Sequence, residues 1–488
     1  MRRYLIQTFG CQMNVHDSQR IEEVLAADGY TPTDAPELAD LIVFNTCSVR
    51  EKADHKLRSA AGTFRPLKER KRDLVMVVAG CMAQQRGEAL LSEVDLVDVV
   101  IGPDNIAELP QLIGHVRAGG PPVARTVFDL DAPSFLQAHA LPERREVSAF
   151  VTVMKGCDER CTYCIVPYTR GAERYRASDE IVSEVQRLCA AGVREITLLG
   201  QTVNSWHEPW DTEGESRFSW LLERIAREVP ELSRLRYTSP HPRHVTPALI
   251  DAHARLSVLP AHMHLPVQSG SDRMLRMMLR RYRRQDFLER AAQLKAARPG
   301  FTLSTDIIVG FPGETEQDFE DTLSLVQAAG FVGVFAFKYS PRPHTPALRL
   351  GDTVPEELKS ERLDRLFALA DAQQNQHLQT LLGRELSVLI EGRSKTDPSR
   401  VTGRSERHEI VHVPAPEGVD LVGALLKVRV VEINKRSLLA QPLTPLAAPE
   451  GARLPVPPPK PKSSVRLPLL TSCCRGSRAG SWRSGPRL

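Results

Sequence analysis

The chain has 488 residues, which at roughly 150 residues per domain predicts two or three domains with ample length for buried cores. No apolar run approaches the roughly 18 residues of a membrane helix, so no helical membrane span is expected. The formal net charge is +4, but from Leu446 onward eight Lys and Arg stand against the single acidic Glu450, which puts +7 in the tail and −3 on the rest. Net charge therefore gives no argument for RNA binding by the body, and any RNA surface must come from local patches.

The first apolar runs, 4–9, 41–45 and 74–79, are continuous and separated by helical patterns, which predicts buried parallel strands. Between the first two, Ile21, Val24 and Leu25 fall at helical spacing before Gly29, a helix stop. Each run leads to a cysteine: through Gly10 to Cys11, through Thr46 to Cys47, through Gly80 to Cys81. In a parallel sheet the strand carboxyl ends share one edge, where ligands bind, so three cysteines far apart in sequence are expected to converge. One buried cysteine is often only a small apolar residue; three at one topological position argue for thiolate ligands. Met1 to Ile6 runs into Gln7 and Thr8 without a signal-length apolar region, so a cytoplasmic location with reduced thiols is expected.

A Pro/Gly-bearing stretch, from Gly119-Gly120-Pro121-Pro122 past Leu141-Pro142, separates this unit from the next. From Ala149 strand and helix alternate about six times, with strands expected at 150–155, 195–199, 235–238, 262–265, 303–309 and 334–339 and a helix such as 181–191 between them. Repeated βα units predict a parallel sheet, open or curled into a barrel, with chemistry at the strand carboxyl ends.

After the first of these strands comes Cys157-Asp158-Glu159-Arg160-Cys161-Thr162-Tyr163-Cys164. Iron–sulfur cubes are normally held by four cysteines, so a compact set of three implies a distant fourth ligand or an iron left open for something that reacts. Cys-x2-Cys alone could be half a zinc site or a redox pair, but no second Cys/His pair follows closely. Gly200-Gln201-Thr202-Val203-Asn204 follows the second strand and Gln268-Ser269-Gly270 the fourth. Glycine permits close backbone approach to a ligand and Gln can grip polar groups. Arg273 to Arg284 mixes arginines with Met and Leu, which predicts a helix with a buried face and a positive outer face suited to phosphate contacts.

A helical stretch with Leu358, Leu363, Leu366 and Leu369 ends near Gly383, and short strands are expected at 385–390, 409–413, 425–433 and 437–440, which together read as a small barrel. The tail, Leu454-Pro455-Val456-Pro457-Pro458-Pro459-Lys460 and onward, cannot bury a core and is expected to be disordered, with Cys473 and Cys474 outside any site.

Cys-x3-Cys-x2-Cys resembles the signature of the radical S-adenosylmethionine enzymes. The stretches Thr8 to Asn14, Asn45 to Glu51 and Gly80-Cys81-Met82-Ala83-Gln84 look like the amino-terminal motifs of the methylthiotransferases. Met278-Leu279-Arg280-Arg281-Tyr282 keeps that family's Met-x-Arg-x-Tyr order, and 376–445 resembles the RNA-binding TRAM domain.

The resemblance implies an α/β protein: an amino-terminal parallel-sheet α/β domain (1–118), a central partial (β/α)6 radical barrel (143–375), a small all-β TRAM-like barrel (376–445) and the tail (446–488). It implies two 4Fe-4S clusters, one on Cys157, Cys161 and Cys164, which are the catalytic set, and one on Cys11, Cys47 and Cys81. S-adenosyl-L-methionine would be contacted by Gly200, Gln201, Gln268 and Ser269. The implied activity is methylthiolation at C2 of N6-isopentenyl-adenosine beside the anticodon (position 37) of tRNA. A deoxyadenosyl radical would take hydrogen from that carbon, and the second cluster would deliver a methylated sulfur.

The implied partners are the anticodon stem-loop and an electron donor such as flavodoxin or ferredoxin, with the enzyme a monomer and no membrane involved. Tyr237-Thr238-Ser239-Pro240-His241-Pro242 and the motifs around Cys47 and Cys81 look most like the isopentenyl branch. Action on threonylcarbamoyl-adenosine in tRNA or on a ribosomal-protein aspartate, and a non-catalytic zinc-containing RNA-binding protein, stay open as alternatives.

Overall fold

The computed structural model describes residues 2–48, 52–129, 135, 146–211, 216–395, 397–415 and 419–446. The stretch Val49–Glu51 of one motif, Leu141-Pro142 of the linker, and the tail with Cys473 and Cys474 lie outside the described residues.

Strands Arg2–Phe9, Leu41–Thr46 and Val75–Gly80 are neighbours in a parallel sheet that, among the described residues, has six strands. The sheet is extended by Tyr30–Pro32 on one side and by Val99–Ile101 and Val123–Arg125 on the other. These three additions are three residues each, too short for a periodic signal, and the sequence reading missed them.

Both sheet faces are covered, which is why the runs are continuously apolar. Ile42, Phe44, Met76 and Val78 pack with Leu57, Phe64 and Leu90 on one face. Leu41, Val43, Val75 and Val77 pack with Ile21, Leu25 and Ile113 on the other. Each fully buried side chain of this kind stabilises by about 1.5–3 kcal/mol. The helix after the first strand, Gln12–Ala27, stops at Asp28-Gly29, and Gly29 takes a φ of +80°.

Among the described residues the central region holds six parallel strands in two halves, Ser148–Thr152, Glu195–Leu199 and Arg234–Tyr237, then His262–His264, Thr302–Val309 and Gly333–Lys338. All pairs within the halves are parallel. The expected strand 150–155 is divided at Val153: its last two residues, Met154–Lys155, leave the sheet and pair antiparallel with Arg174–Tyr175.

The basic stretch is not the amphipathic helix that its composition suggests. Helix Asp272–Met277 ends early, and Leu279 and Arg281 adopt φ values of +55° and +56°, which breaks any helical continuation. Arg280 is buried and Arg284 is half-buried against Gly270 O, while Arg273, Arg276, Arg281 and Arg283 are exposed, Arg273 bonding Asp318 and Gly313 O from the surface.

Helix Glu356–Gln379 leads into a closed barrel of Glu385–Arg393, Arg400–Ser405, Ile410–Pro414, Leu425–Asn434 and Ser437–Pro442. This barrel docks on the amino-terminal end of the central strands. Arg234, the first residue of its strand, donates to Arg404 O and Ser387 O at 2.7 Å each, and Arg236 bonds both Glu195, at 2.9 Å, and Ser405 O. The carboxyl ends of the central strands are thereby left for chemistry.

Candidate functional site: two cysteine triads

Register explains how the amino-terminal cysteines meet. Phe9 pairs with Thr46 and Thr46 with Gly80, so Cys47 and Cys81 each follow a paired position by one residue and Cys11 by two. Gly80 sits at φ +92°, and a Cβ there would overlap Asn45 Oδ1 and Thr46 O, so only glycine lets the chain turn directly into the helix that starts at Cys81. Asn14 and Asn45 lock the strand ends together: Asn14 Nδ2 donates to Asn45 Oδ1 and Thr46 O at 3.1 Å each, and Asn45 Nδ2 donates to Asn14 O at 2.8 Å.

The Cys11 thiol is pulled down to about 6 by its hydrogen bond with Cys47, against the effect of burial and with help from the nearby Arg170 guanidinium. Burial pushes Cys81 up, and Arg170, which donates from Nε to Cys81 Sγ at 3.3 Å, opposes it.

The second triad lies on one loop. Gly156 takes φ +81°, where a Cβ would collide with Ala172 O, and its N–H donates to Gln201 Oε1 at 2.5 Å. Cys157 N–H donates to Gly171 O at 3.2 Å, and Cys157 Sγ lies 3.0 Å from Thr202 Oγ1. Cys164 N–H donates to Cys161 O at 3.0 Å, and Arg280 Nη1 donates to Cys161 Sγ at 3.4 Å. Burial pushes the Cys157 thiol up to about 11 and the Cys164 thiol up to about 12. Three soft donors on one loop, two of them thiols that burial pushes up, call for a bound cation to hold them as thiolates. Cationic N–H donors already aimed at one sulfur in each triad fit an iron–sulfur cluster, whose sulfurs accept such bonds.

The four expected cofactor contacts occupy different surroundings. Gly200 packs so closely that a Cβ would meet Met154 Cγ and Val203 Cα. Gln201 lies under the Cys157 loop, with its Nε2 buried and without a partner. Gln268 takes φ +71° and bridges to Ile307 beside the end of its strand. Ser269 is fully buried, and its hydroxyl is engaged by Thr322 Oγ1 at 3.3 Å and by Ser271 N–H, so it shapes the turn.

Sequence reasoning missed Arg170, Asp17, Thr202 and a strap formed by Glu159, His241 and His244. A lone arginine six residues after Cys164 and a helical aspartate carry no periodic or spacing signal. In the strap His244 Nε2 lies 2.8 Å from Glu159 Oε1, and all three ligand atoms fall within 4.8 Å of one another. His241 Nδ1 accepts from Arg243 N–H at 3.3 Å, which puts the ring proton on Nε2, the atom facing Glu159. The His244–Glu159 bond ties the cysteine loop to the strand end, while His241 Nε2 and Glu159 Oε2 stand 3.8 Å apart, both buried and without a hydrogen-bond partner, with Arg243 beside the carboxylate at 3.8 Å.

Residues 3–102 match the family described as uncharacterized protein family UPF0004, residues 151–326 the radical SAM superfamily, and residues 379–443 the TRAM domain. The chain is 56% identical over 464 residues to a protein of Sorangium cellulosum (strain So ce56) named tRNA-2-methylthio-N(6)-dimethylallyladenosine synthase, covering 90% of this chain and 93% of that one. It is 45% identical over 444 residues to a protein of the same name from Bordetella petrii, covering 90% and 91%. Among solved structures it is similar to a radical S-adenosylmethionine methyltransferase from Kitasatospora setae, with a TM-score of 0.52 at 15% identity over 71% of this chain and 75% of that one, a likeness of fold.

Proposed function

Because the chain belongs to the family of tRNA-2-methylthio-N(6)-dimethylallyladenosine synthases within the radical SAM superfamily, we propose that Cys157, Cys161 and Cys164 hold one 4Fe-4S cluster and Cys11, Cys47 and Cys81 a second. The chain is a tRNA methylthiotransferase acting at C2 of N6-isopentenyl-adenosine next to the anticodon. Its cofactors are S-adenosyl-L-methionine and 4Fe-4S clusters. With the reduced cluster, S-adenosyl-L-methionine supplies a carbon-centred radical that can break a C–H bond no side-chain acid or base could ionise near neutral pH.

The protein's part is placement. The Gly156 turn, tied to Gln201 and Gly171, presents Cys157 beside the carboxyl ends of the first and second central strands. Thr162, bonded through both N–H and Oγ1 to the carbonyls of Met278 and Met277, fixes the loop between Cys161 and Cys164. Gly200 lets Met154 and Val203 pack against the turn that carries Gln201, the free Nε2 of Gln201 and the amide of Gln268 offer polar grips, and Ser269 holds the turn that carries Gln268. An adenine must leave its stack to reach such a recess, and an anticodon loop presents it cheaply. A flavodoxin or ferredoxin supplies electrons to a monomeric, cytoplasmic enzyme organised as domains 1–118, 143–375 and 376–445.

The observation that carries this reading is the convergence of two separate cysteine triads at the carboxyl edges of two parallel sheets. The test is anaerobic incubation of reconstituted protein with S-adenosylmethionine, dithionite and isopentenylated tRNA, followed by mass spectrometry of 5′-deoxyadenosine and digested nucleosides. A methylthiolated adenosine, absent from Cys157→Ala and Cys11→Ala proteins, is expected. Deoxyadenosine without nucleoside product would redirect the substrate to threonylcarbamoylated tRNA or a ribosomal protein, and neither product from protein holding both clusters would overturn the catalytic assignment.

A further inference from the structure

The two buried guanidiniums beside the triads differ in one respect, which is their counter-charge. Arg280, 5% exposed, donates to Cys161 Sγ at 3.4 Å, and its other partners are neutral: Tyr282 Oη at 3.0 Å, Pro266 O at 3.0 Å and Tyr163 Oη at 3.5 Å. Among the described residues no carboxylate lies within ion-pair distance of it. Arg170, 3% exposed, donates from Nε to Cys81 Sγ at 3.3 Å, but its two Nη atoms grip Asp17 at 3.3 and 2.5 Å. Arg280 thus brings a whole uncompensated positive charge to its triad. Arg170 brings an N–H···S bond whose charge Asp17 cancels.

Reduction adds one electron to a cluster, and a nearby buried cation favours the reduced form while a carboxylate disfavours it. Net charge and hydrogen bonds to sulfur are two of the levers by which proteins set cluster potentials. At a few ångströms in a water-poor interior such a charge acts far more strongly than at the surface. We propose that Arg280 and the Arg170–Asp17 pair are positioning residues that set the two clusters apart in reduction potential, steering an electron from an external one-electron donor to the cluster on Cys157, Cys161 and Cys164. The geometry gives a reason for the arrangement: helix Val166–Arg170 follows Cys164 directly, and Gly171 O accepts from Cys157 N–H, so one short segment touches both triads. Without Asp17 its guanidinium would make the second cluster an equal trap for the electron.

This inference rests on the assignment of both triads as cluster ligands. The test is a redox titration of reconstituted full-length protein followed by electron paramagnetic resonance, with iron quantified in each sample and the two signals assigned by Cys→Ala triple variants of each triad. In Asp17→Asn the midpoint of the amino-terminal cluster is expected to move to higher potential while the other stays in place. In Arg280→Gln the radical cluster is expected to move to lower potential, and Arg280→Lys, which keeps the charge, is expected to recover most of that shift. A merely structural role for Asp17 would lower occupancy without raising a midpoint.

Unmoved midpoints in Asp17→Asn and Arg280→Gln, with iron retained, would overturn the inference and leave the cluster assignment intact. Absence of iron from either triad in the wild-type protein would instead sink the cluster assignment. If Arg280→Gln fails to hold its cluster, Asp17→Asn alone decides: a midpoint raised supports the proposal, one unmoved or lowered refutes it.

Discussion

The two cysteine triads are assembled by opposite routes. The Cys157, Cys161 and Cys164 set lies within eight residues and needs one loop to be folded correctly. Cys11, Cys47 and Cys81 span seventy-one residues and meet only because three strands pair in parallel and in register, Phe9 to Thr46 to Gly80. A triad carried by a loop depends on local backbone and on what packs against that loop. A triad carried by a sheet edge depends on the integrity of the whole domain.

The largest expected effect separates their chemical roles. Cys161→Ala should abolish both 5′-deoxyadenosine and methylthiolated product, whereas Cys47→Ala should abolish the nucleoside product and keep deoxyadenosine formation. Product analysis of the two variants side by side checks this, and equal loss of both products in both variants would erase the proposed division of labour.

Glycine substitutions test the turns. Gly156→Ala and Gly80→Ala each place a Cβ against a backbone carbonyl at positive φ, so each should cost on the order of 2–3 kcal/mol of local strain. Iron content should fall in only the matching triad, readable by visible absorption of each variant after reconstitution.

A subtler change strikes the sheet edge alone. Asn45→Ala removes the partner of Asn14 Nδ2 and of Ser18 Oγ inside a buried network and should destabilise by about 1–3 kcal/mol. Thermal unfolding should report the loss, with the amino-terminal cluster reduced and deoxyadenosine formation by the loop triad preserved.

The smallest effect concerns a group remote from both triads. His253 is buried, hydrogen-bonded to Tyr237 Oη at 2.6 Å, and held down to about 3 by burial. Because its folded value lies below the unfolded one of about 6.5, its contribution is complete above pH 6.5 and is lost as pH falls toward 3. Between pH 6.5 and 5 the loss should be about 2 kcal/mol, visible as a lower urea midpoint that His253→Gln makes less pH-dependent.

The same contrast governs what could be read from sequence. The loop triad stood out as a compact Cys-x3-Cys-x2-Cys run whose ligand chemistry spacing alone left open, and the meeting of the sheet cysteines was legible from three apolar runs each leading to a cysteine, because continuous burial on both faces leaves an unambiguous pattern. Strand Arg400–Ser405 was illegible: its inward positions are Val401, Gly403 and Ser405, and Gly403 is required where Leu389 O approaches, so no apolar alternation appears. The basic stretch misled because composition does not report that Leu279 and Arg281 leave helical φ or that Arg280 turns inward to a sulfur. Arg170 and Asp17 were invisible for a related reason. Their meaning lies in a contact across 153 residues of sequence, which no local pattern encodes.

Two independent clusters, one per triad, are expected in the folded chain. The most direct measurement is iron quantification with Mössbauer spectroscopy on anaerobically reconstituted full-length protein and on the two Cys→Ala triple variants. Two 4Fe-4S clusters in the wild type and one in each triple variant are the predicted result. Zinc in place of iron, or a triple variant that keeps the wild-type iron content, would contradict it.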